Sequence, residues 1–319
     1  MSRILNFGSL NIDYVYDVDH FVRPGETLSS NSLNFYCGGK GLNQSVALAR
    51  ASACCYHAGA VGSEDGGFLV EVLQKNGVDV QFIAQKECRT GHAIIQVDRT
   101  GQNSILLFGG ANQKITEEEI DRALEPFHSE DMLLLQNEIN SIGSIMEKAA
   151  QKGMKILLNP SPMNLSIQKL PLHLVSLLIV NEIEAAELCN GDETKLFRKW
   201  GNLYPKTAIV LTLGEKGVLY FNPVEGKPYY HGVYEVPVVD TTAAGDTFTG
   251  YFIAMIAQNN PVEKALELAS IASAIAISRK GAEKSIPFLN EVSASQLISA
   301  KTCLDMKEDI LKRHFSWME

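Results

Sequence analysis

Short apolar runs alternate with segments of helical periodicity along most of this chain. The apolar runs have the length and composition of buried parallel strands, and they cover residues 4–7, 132–135, 156–158, 177–180 and 208–211. The helical segments between them lie near residues 42–51, 68–75, 141–152 and 185–188. This alternation predicts an α/β protein with three α/β/α layers, in which helices cover both faces of a mainly parallel central sheet. Ligands of such sheets bind beyond the carboxyl ends of the strands.

Two other parts of the chain alternate apolar and polar residues. Residues 14–19 form one such stretch, and residues 93–98 and 103–108 form a pair joined by Arg99-Thr100-Gly101-Gln102. The pair is typical of a β-hairpin. Together these stretches predict a small antiparallel sheet. Its strands belong to two excursions, which are segments of the chain that leave the main sheet and return to it.

Composition excludes several classes of protein. The 319 residues with 45% hydrophobic content suffice for a sizeable core, in one large α/β domain or two smaller ones. A net charge of −9 without a basic block argues against nucleic acid or an anionic membrane as a partner. The cysteines have no C-x-x-C or zinc spacing, so we expect reduced thiols. The chain shows no signal-peptide layout, and its longest apolar stretch, residues 265–277, is too short and polar for a bilayer. We therefore expect a cytoplasmic protein.

The most informative motif is Ala243-Ala244-Gly245-Asp246. An apolar stripe with helical spacing follows it at Phe248, Tyr251, Phe252, Met255 and Ile256. The motif should therefore open a helix, where backbone N–H groups and the helix dipole favour an anion. A carboxylate beside such an anion hole can take a proton from an attacking hydroxyl, which is a geometry for phosphoryl transfer. The alternative is that Asp246 only complements the helix dipole.

A second motif, Gly38-Gly39-Lys40-Gly41-Leu42-Asn43-Gln44, opens another predicted helix. Its glycines and polar side chains suit recognition of a polyhydroxylated ligand, although a glycine-rich turn that only reverses the chain would look similar. It is not a P-loop, because Asn34 and Gly41 stand where that motif needs a glycine and a serine or threonine.

The two motifs, in this order and about two hundred residues apart, resemble those of the ribokinase-like (PfkB) family of sugar kinases, and most closely the ribokinases. Further matches extend the resemblance from about residue 3 to 290: Gly8-Ser9-Leu10-Asn11-Ile12-Asp13, Pro24-Gly25-Glu26-Thr27, Asn181-Glu182-Ile183-Glu184, Thr212-Leu213-Gly214-Glu215-Lys216-Gly217, and Arg279-Lys280-Gly281-Ala282 with Ser285 and Pro287. The resemblance implies one ribokinase-like domain over residues 1–319. It also implies a β lid over the sugar, formed by about residues 12–37 and 91–110, and a homodimer formed through that lid. An ordinary edge hairpin without a moving role is the alternative for the lid.

The resemblance implies an ATP-dependent phosphotransferase that moves the γ-phosphoryl group to a primary hydroxyl of a pentose, most simply D-ribose to ribose 5-phosphate. The nearest alternative is the same reaction on deoxyribose, fructose or another ketose, a sugar acid or a nucleoside. A catalytically dead sugar-binding regulator is disfavoured by the presence of Asp246, Gly245 and Glu184. A dinucleotide-dependent oxidoreductase is disfavoured because Gly8-Ser9-Leu10-Asn11 follows the first strand where G-x-G-x-x-G is needed.

Individual roles also follow from the resemblance. Asp246 is the expected general base, and the turn Ala243-Ala244-Gly245 leads into backbone amides that would stabilise charge on the transferred phosphoryl group. The expected sugar contacts are Asn11, Asp13, Gly38, Gly39, Lys40, Asn43 and Glu138. Asn11 and Asp13 could instead be turn residues, Glu138 a solvated acid at a strand end, and Lys40 a phosphate ligand.

The remaining matches concern the nucleotide and the cations. The expected nucleotide contacts are Asn181, Thr212, Gly214, Gly217 and Ser270. Glu184 would organise Mg²⁺ through water, although Asn181 and Glu184 also suit a helix cap. The residues that match the family's K⁺ site are Asp240, Thr242, Ala276, Gly281 and Ser285. The chain departs from the family pattern at Ser270, where ribokinases commonly carry Asn, and at Cys37, Leu42, His92, Gln96 and Phe108, which we expect to reshape the sugar pocket.

Overall fold

The computed structural model describes residues 2–299 and 301–318, without the side chains of residues 301–305. In chain order its elements are β1 (Ile4–Phe7), β2 (Asn11–Asp17), β3 (Ser32–Gly38), α1 (Lys40–Arg50), β4 (Cys55–Gly62), α2 (Gly67–Lys75), β5 (Asp79–Lys86), β6 (Gly91–Val97), β7 (Asn103–Phe108), α3 (Glu117–Leu124), β8 (Met132–Gln136), α4 (Ile142–Gln151), β9 (Lys155–Asn159), β10 (Val175–Asn181), α5 (Glu182–Leu188), α6 (Leu196–Leu203), β11 (Ala208–Thr212), β12 (Val218–Asn222), β13 (Lys227–His231), α7 (Ala244–Ala257), α8 (Val262–Ile277), α9 (Leu289–Ser293) and α10 (Lys301–Phe315).

The main sheet is parallel except at one edge. Among the described residues it has nine strands in the order β13-β12-β11-β10-β9-β8-β1-β4-β5. The pairs from β11 across to β5 are parallel, while β12 and β13 add as antiparallel strands. The strands are nearly continuous apolar runs because helices bury both of their faces. The predicted α/β/α fold class is therefore confirmed.

The strand order creates a crevice beside β1. The chain leaves β1 for β4 on one side, whereas β8 and the strands that follow it add on the other side. The segments that follow the carboxyl ends of β1 and β8 therefore diverge, and open sheets bind their ligands at such a switch point. Ser9 and Glu138 stand at this place, two residues beyond each strand end.

Two apolar cores hold the layers together, one on each face of the main sheet. Buried residues of α1, α2, α7 and α8 pack on one face, represented by Val46, Leu69, Phe252 and Ala269. Buried residues of α3, α4, α5, α6 and α10 pack on the other, represented by Ile120, Ile145, Ala185, Phe197 and Ile310. Burying apolar area on both faces supplies the main stabilisation of a sheet of this kind.

The second sheet has the order β3-β2-β6-β7, and its strands fall within the two predicted excursions. The prediction that it is antiparallel was wrong for one pair, because β2 and β6 run parallel. These strands belong to different excursions, so no hairpin turn links them, and the long crossover between them permits a parallel pairing. The β2–β3 and β6–β7 pairs are antiparallel.

Helices α1 and α7 approach each other unusually closely. A Cβ on Gly250 of α7 would overlap the Cβ of Ala47 and would lie 3.0 Å from the backbone oxygen of Gln44 and from the backbone nitrogen of Leu48. Only glycine fits against a neighbouring backbone at this separation. Asp246 lies one helical turn before Gly250, so the close approach also brings the start of α7 against α1.

Two further observations concern the cysteines and the membrane. The five cysteines with described side chains, Cys37, Cys54, Cys55, Cys88 and Cys189, are free thiols, and Cys303 lies outside the described side chains. A search of the described residues found no helix with the length and apolar character needed to cross a bilayer.

We predict that Gly250→Ala destabilises the protein by about 1–3 kcal/mol, the usual cost of overpacking, because two backbone atoms of α1 block the added methyl group. Gly201→Ala is the matched control. It lies within α6, where a Cβ would be 3.6 Å from Pro223, so it should stabilise the protein by about 0.5–1 kcal/mol. Urea unfolding measures both variants. Equal shifts of the two midpoints would contradict the proposed close approach.

Candidate active site

Asp246 lies in the first turn of α7 and faces α1. Helix α7 begins at Ala244, with Ala243 at the N-cap position. The Asp246 side chain is 6% exposed, and its two oxygens accept hydrogen bonds from Asn43 Nδ2 at 3.0 Å and from Gln44 Nε2 at 2.9 Å. Its carboxylate is therefore directed at α1 rather than at the free amides of its own helix.

The start of α7 is open to an anion. The first N–H groups of a helix have no intrahelical acceptor. A Cβ on Gly245 would meet no atom within 4 Å, so no residue that the structure describes covers the backbone there. Ser273 of α8 supports this turn from behind, because its Oγ donates to the backbone oxygen of Ala244 at 3.1 Å. The Ala244 N–H donates to the backbone oxygen of Thr241 at 3.2 Å, so the amides of this turn that are left for an anion are those of Gly245 and Asp246.

Two glycines shape the entry to α1. Gly39 is the N-cap with φ = 92°, in the left-handed region, and a Cβ there would lie 3.0 Å from the backbone nitrogen of Asn11. A Cβ on Gly38 would overlap the carboxyl group of Asp13. Any side chain at Gly38 would thus displace the Asp13 carboxyl. The glycine motif is therefore needed for the position of Asp13, one of the expected sugar contacts.

Glu138 connects the two sides of the crevice beside β1. Its carboxylate accepts hydrogen bonds from Ser9 Oγ and, at 2.9 Å, from the backbone N–H of Lys40. Burial raises its pKa, and these two donors and the Lys40 charge oppose that rise. Burial, and then the negative charge of Glu138, raise the pKa of the half-buried Asp13 to about 7. Glu138 is therefore a half-buried, hydrogen-bonded acid and not a solvated one.

Lys40 is the cation at the centre of these acids. Burial lowers its pKa, but the negative charges of Asp246, Glu138 and Glu184 outweigh burial and raise the pKa overall. The ammonium group therefore remains charged. It can face a sugar or a phosphate, so both predicted roles of Lys40 stay open.

The Asn11 side chain is held by a hydrogen bond from Asn112, a residue that the sequence did not indicate. Asn112 is 1% exposed and donates through Nδ2 to Asn11 Oδ1 at 2.8 Å. Its Oδ1 accepts from the backbone N–H of Leu10 at 3.1 Å. Asn11 is thus an ordered residue at the start of β2 and not a turn residue, and Asp13 lies within the same strand.

One narrow cleft joins the predicted phosphate-binding and acid–base residues. Its lining includes Lys40, Asn181, Glu184, Thr212, Gly245 and Asp246. Asn181 and Thr212 are direct partners across β10 and β11, which brings two predicted nucleotide contacts together. Gly214, Gly217 and Ser270 are not part of this lining, and Ser270 is half-buried on α8.

Asn181 and Glu184 form a capping box at the start of α5. Asn181 Oδ1 accepts from the backbone N–H of Glu184 at 2.9 Å, and Glu184 Oε2 accepts from the backbone N–H of Asn181 at 3.0 Å. The two residues therefore form the helix cap that the sequence offered as their alternative role. It leaves Glu184 Oε1 without a hydrogen bond in the described part of the chain, and the residue still lines the cleft.

The predicted cation residues lie around one contact between two loops. Asp240 accepts from the backbone N–H and the Oγ1 of Thr242, at 3.0 and 2.5 Å, and from the backbone N–H of Gly281 at 2.9 Å. Ala276 lies in the last turn of α8, and Ser285 is 1% exposed just beyond Gly281. Asp240 thereby anchors the segment that follows α8 to the segment that precedes α7.

One prediction needs a correction: that the residues departing from the family pattern, Cys37, Leu42, His92, Gln96 and Phe108, reshape the sugar pocket. Directly paired residues share one face of a sheet. Asp13 pairs with Ala93, and Ala93 pairs with Leu107, whereas His92 and Phe108 pair with each other one position away. His92 and Phe108, and Gln96 by the same alternation, therefore lie on the face opposite Asp13 and do not line its side. Leu42 is fully buried in the core, and Cys37 pairs with Ile12, also on the opposite face.

Several polar residues of the site were missed from the sequence. Ser9 and Gln44 stand inside recognised motifs but received no role. Gln136 and Asn159 are each the last residue of a buried apolar strand and are 1% and 9% exposed. A buried amide at the carboxyl end of a strand was the signal that could have identified them.

The chain was compared with known proteins. The profile of the pfkB family of carbohydrate kinases matches residues 1–289. The ribokinase of Haemophilus influenzae is 34% identical over 294 residues, which cover 89% of this chain and 95% of that protein. The structure of ribokinase from Cryptococcus neoformans in complex with ADP is 36% identical, with a TM-score of 0.79 and 92% and 99% of the two chains covered. Arabidopsis thaliana ribokinase, solved with ribose and ATP, is 27% identical, with a TM-score of 0.82 and 92% and 98% covered. The chain therefore belongs to the pfkB family of carbohydrate kinases.

Proposed function

We propose that this protein is an ATP-dependent kinase that transfers the γ-phosphoryl group to the primary hydroxyl of D-ribose and forms ribose 5-phosphate. The observation that carries the proposal is the 3.0 Å hydrogen bond from Asn43 Nδ2 to Asp246 Oδ2. It joins motifs 203 residues apart, so that the expected sugar contacts and the expected general base lie beside one helix N-terminus. The ribokinases to which the chain is similar support ribose and ATP as the substrates.

The reaction follows from this arrangement. The sugar hydroxyl lies against Asp246, which accepts its proton as the new bond to phosphorus forms. Phosphoryl transfer has a loose transition state, so holding the hydroxyl in line matters more than the basicity of the carboxylate. The amides at Gly245 and Asp246 stabilise the charge on the transferred group. The predicted contribution of Ala244 is opposed by the bond from its N–H to the backbone oxygen of Thr241. Lys40 adds a positive charge on the same side of the cleft.

The side chains expected to bind the acceptor have polar groups that match the hydroxyls of a small sugar. Asp13, Glu138 and Asn43 offer oxygens and amides that bind neighbouring hydroxyls in defined directions. Ala93 and Leu107 share the Asp13 face of the small sheet and give an apolar cover to the carbon face of a ring. The same chemistry on deoxyribose, a ketose, a sugar acid or a nucleoside is the alternative.

The nucleotide side suits ATP with Mg²⁺. Mg²⁺ prefers oxygen ligands, keeps several waters and is commonly shared with phosphate oxygens, so one carboxylate suffices. The hydrogen-bond-free Oε1 of Glu184 fits that role and would hold the ion through water. Bound Mg²⁺ would neutralise charge on the phosphates during transfer. Asn181, Thr212, Gly214, Gly217 and Ser270 are the proposed nucleotide contacts.

A monovalent cation is proposed beside the α7 turn. The segments joined by Asp240 and Gly281 offer a carboxylate and backbone carbonyls, which are oxygen ligands suited to K⁺. Thr242, Ala276 and Ser285 belong to the same two segments. An ion there would orient the turn that carries Gly245 and Asp246 and would not touch the sugar.

The small sheet is proposed as a lid and as a dimer contact. Its apolar side chains are exposed on both faces: Phe35 is 65% and Leu106 68% exposed on one face, and Leu107 54% exposed on the other. Apolar patches of this kind mark interaction surfaces. We also propose that residues 1–319 form a single domain, and that the protein is cytoplasmic, which the free thiols support.

We predict that ribose gives the highest kcat/KM in a coupled ADP-release assay over a panel of pentoses, ketoses, sugar acids and nucleosides. Asp246→Asn should lower kcat by at least ~100-fold without unfolding the protein, because the proton acceptor is lost. Asp131→Asn is the matched control, since Asp131 is also a buried acid but precedes the amino end of β8 and binds Arg3. It should keep wild-type kcat. Near-normal turnover in Asp246→Asn would remove Asp246 from the mechanism, and no turnover on any acceptor would refute the kinase.

We predict that ribose affinity falls as the pH falls below about 7. The raised pKa of Asp13 means that its carboxyl is protonated below about pH 7 in the free protein. The ionised form accepts hydrogen bonds from two hydroxyls, so binding must first release that proton. The Kd for ribose should therefore rise about tenfold per pH unit below 7 and stay constant above it. Titration calorimetry measures this, and Asp13→Asn should bind weakly with no such slope. A constant wild-type Kd between about pH 6 and 8 would contradict the role of Asp13.

We predict that K⁺ raises kcat at constant ionic strength and that Na⁺ does so much less. Asp240→Asn should abolish the difference, because the anchor between the two cation-site segments is weakened. Steady-state rates in matched KCl and NaCl buffers measure the effect. Equal wild-type rates in both salts would count against a K⁺ site.

A further inference from the structure

A chain of buried amides lies directly beneath Asp246. It consists of Asn6 in β1, Gln44 in α1, Gln136 at the end of β8 and Asn159 at the end of β9, and we call these four residues the amide relay. Gln44 Nε2 donates to Asp246 Oδ1 at 2.9 Å and to Asn159 Oδ1 at 3.0 Å. Gln136 Nε2 donates to Gln44 Oε1 at 2.7 Å and to Asn6 Oδ1 at 2.9 Å.

The carboxylate determines the direction of every amide in the relay. An ionised carboxylate only accepts hydrogen bonds, so Gln44 must turn its NH₂ group toward Asp246. Its carbonyl oxygen then faces Gln136, which must turn its own NH₂ group back toward it. Asn6 in turn accepts from Gln136 and donates to the backbone oxygen of Gly41 at 2.7 Å. Both ends of the Asn6, Gln44 and Asn159 amides are thus hydrogen-bonded, whereas Gln136 Oε1 is buried without a hydrogen-bond partner among the described residues.

The relay is also held sterically. A Cβ on Gly8 would overlap Oε1 of Gln136, so the glycine leaves the space that this side chain fills. On the other side, Gly250 lets α7 approach the backbone oxygen of Gln44. Gln44 is fully buried, whereas Asn43, which binds the other oxygen of Asp246, is 5% exposed. Gln44 therefore contacts Asp246 from a place that no ligand reaches.

We infer that Gln44 is a positioning residue: it fixes the orientation of the Asp246 carboxylate through a rigid link to the carboxyl ends of β1, β8 and β9. Asn43 is also an expected sugar contact, whereas the Gln44 side chain bonds only to Asp246, Asn159 and Gln136 in the described part of the chain. The hydrogen bond from Gln44 holds one carboxylate oxygen of Asp246 in place while the other oxygen accepts the proton of the sugar hydroxyl. This inference rests on the proposed kinase function and adds a residue to its machinery that touches no substrate.

The test compares Gln44→Met with the wild type in the full-length protein, using the best acceptor of the panel. Methionine keeps the length of the side chain and removes its three hydrogen bonds, to Asp246, Asn159 and Gln136. We expect kcat to fall ~10-fold or more, the change that the loss of a hydrogen bond to a charged group produces, with both KM values nearly unchanged. Gln44→Glu keeps the shape but places a second carboxylate beside Asp246, and it should lose at least as much kcat.

Gln258→Met is the matched control. Gln258 follows α7 and donates to the backbone oxygen of Ala51 at 2.9 Å, so it also links α7 to α1, at the opposite end. The variant removes a glutamine hydrogen bond between the same helices and should keep wild-type kcat. A similar loss of kcat in Gln258→Met would show that any weakening of this helix pair lowers turnover, and would overturn the inference.

A double-mutant cycle with Asp246→Asn separates positioning from general stability. If Gln44 acts through the Asp246 carboxylate, Gln44→Met should cost little further kcat in the Asp246→Asn background. The same fold-loss in both backgrounds, or wild-type kcat in Gln44→Glu, would overturn the role of Gln44 while the kinase function stands. A wild type without turnover on any acceptor would overturn both.

Discussion

The close approach of α1 and α7 is the constraint on which the site depends. Gly250 removes the one side chain that would separate the helices, and one turn earlier Asp246 then reaches Asn43 and Gln44. Because the two helices start at the same edge of the sheet, Lys40 at the start of α1 and Gly245 at the start of α7 line one cleft. The expected sugar contact Asn43 and the expected phosphate-binding turn are thereby brought together by helix packing. The apolar core beneath both helices keeps this geometry rigid.

The electrostatics of the cleft explain why it needs its ligands. Asp246, Glu138 and Glu184 surround a single lysine, Lys40, and Asp13 stands behind Glu138. Burial, and to a smaller extent the neighbouring negative charges, disfavour ionisation, which is why the pKa values of Asp13 and Glu138 are raised. A nucleotide triphosphate adds further negative charge, so it requires a partner cation as well as helix amides. A neutral sugar carries no such penalty, and its hydroxyls supply the donors that the carboxylates lack. The site therefore favours a neutral polyol on one side and a cation-bound anion on the other.

Much of this architecture could be predicted from the sequence, because the relevant signals are local. Apolar runs identify β1, β8, β9, β10 and β11, and the stripe after Asp246 identifies α7. Parallel pairing of β2 with β6 could not be predicted, since it depends on where two distant excursions meet. The face occupied by His92 follows from register, which a one-residue shift would reverse. The amide relay draws one residue from each of four elements, so no spacing in the chain reveals it.

The two faces of the small sheet carry different sets of residues, because side chains alternate along each strand. Ala93 and Leu107 share the face of Asp13, an expected sugar contact. Tyr14 and His92 share the other face, where their rings contact edge to face with centroids 5.7 Å apart. A substitution on the second face can therefore change an interaction surface without touching the sugar. The same β2 strand carries both sets of residues, so movement of the sheet as a body would shift Asp13 relative to Glu138.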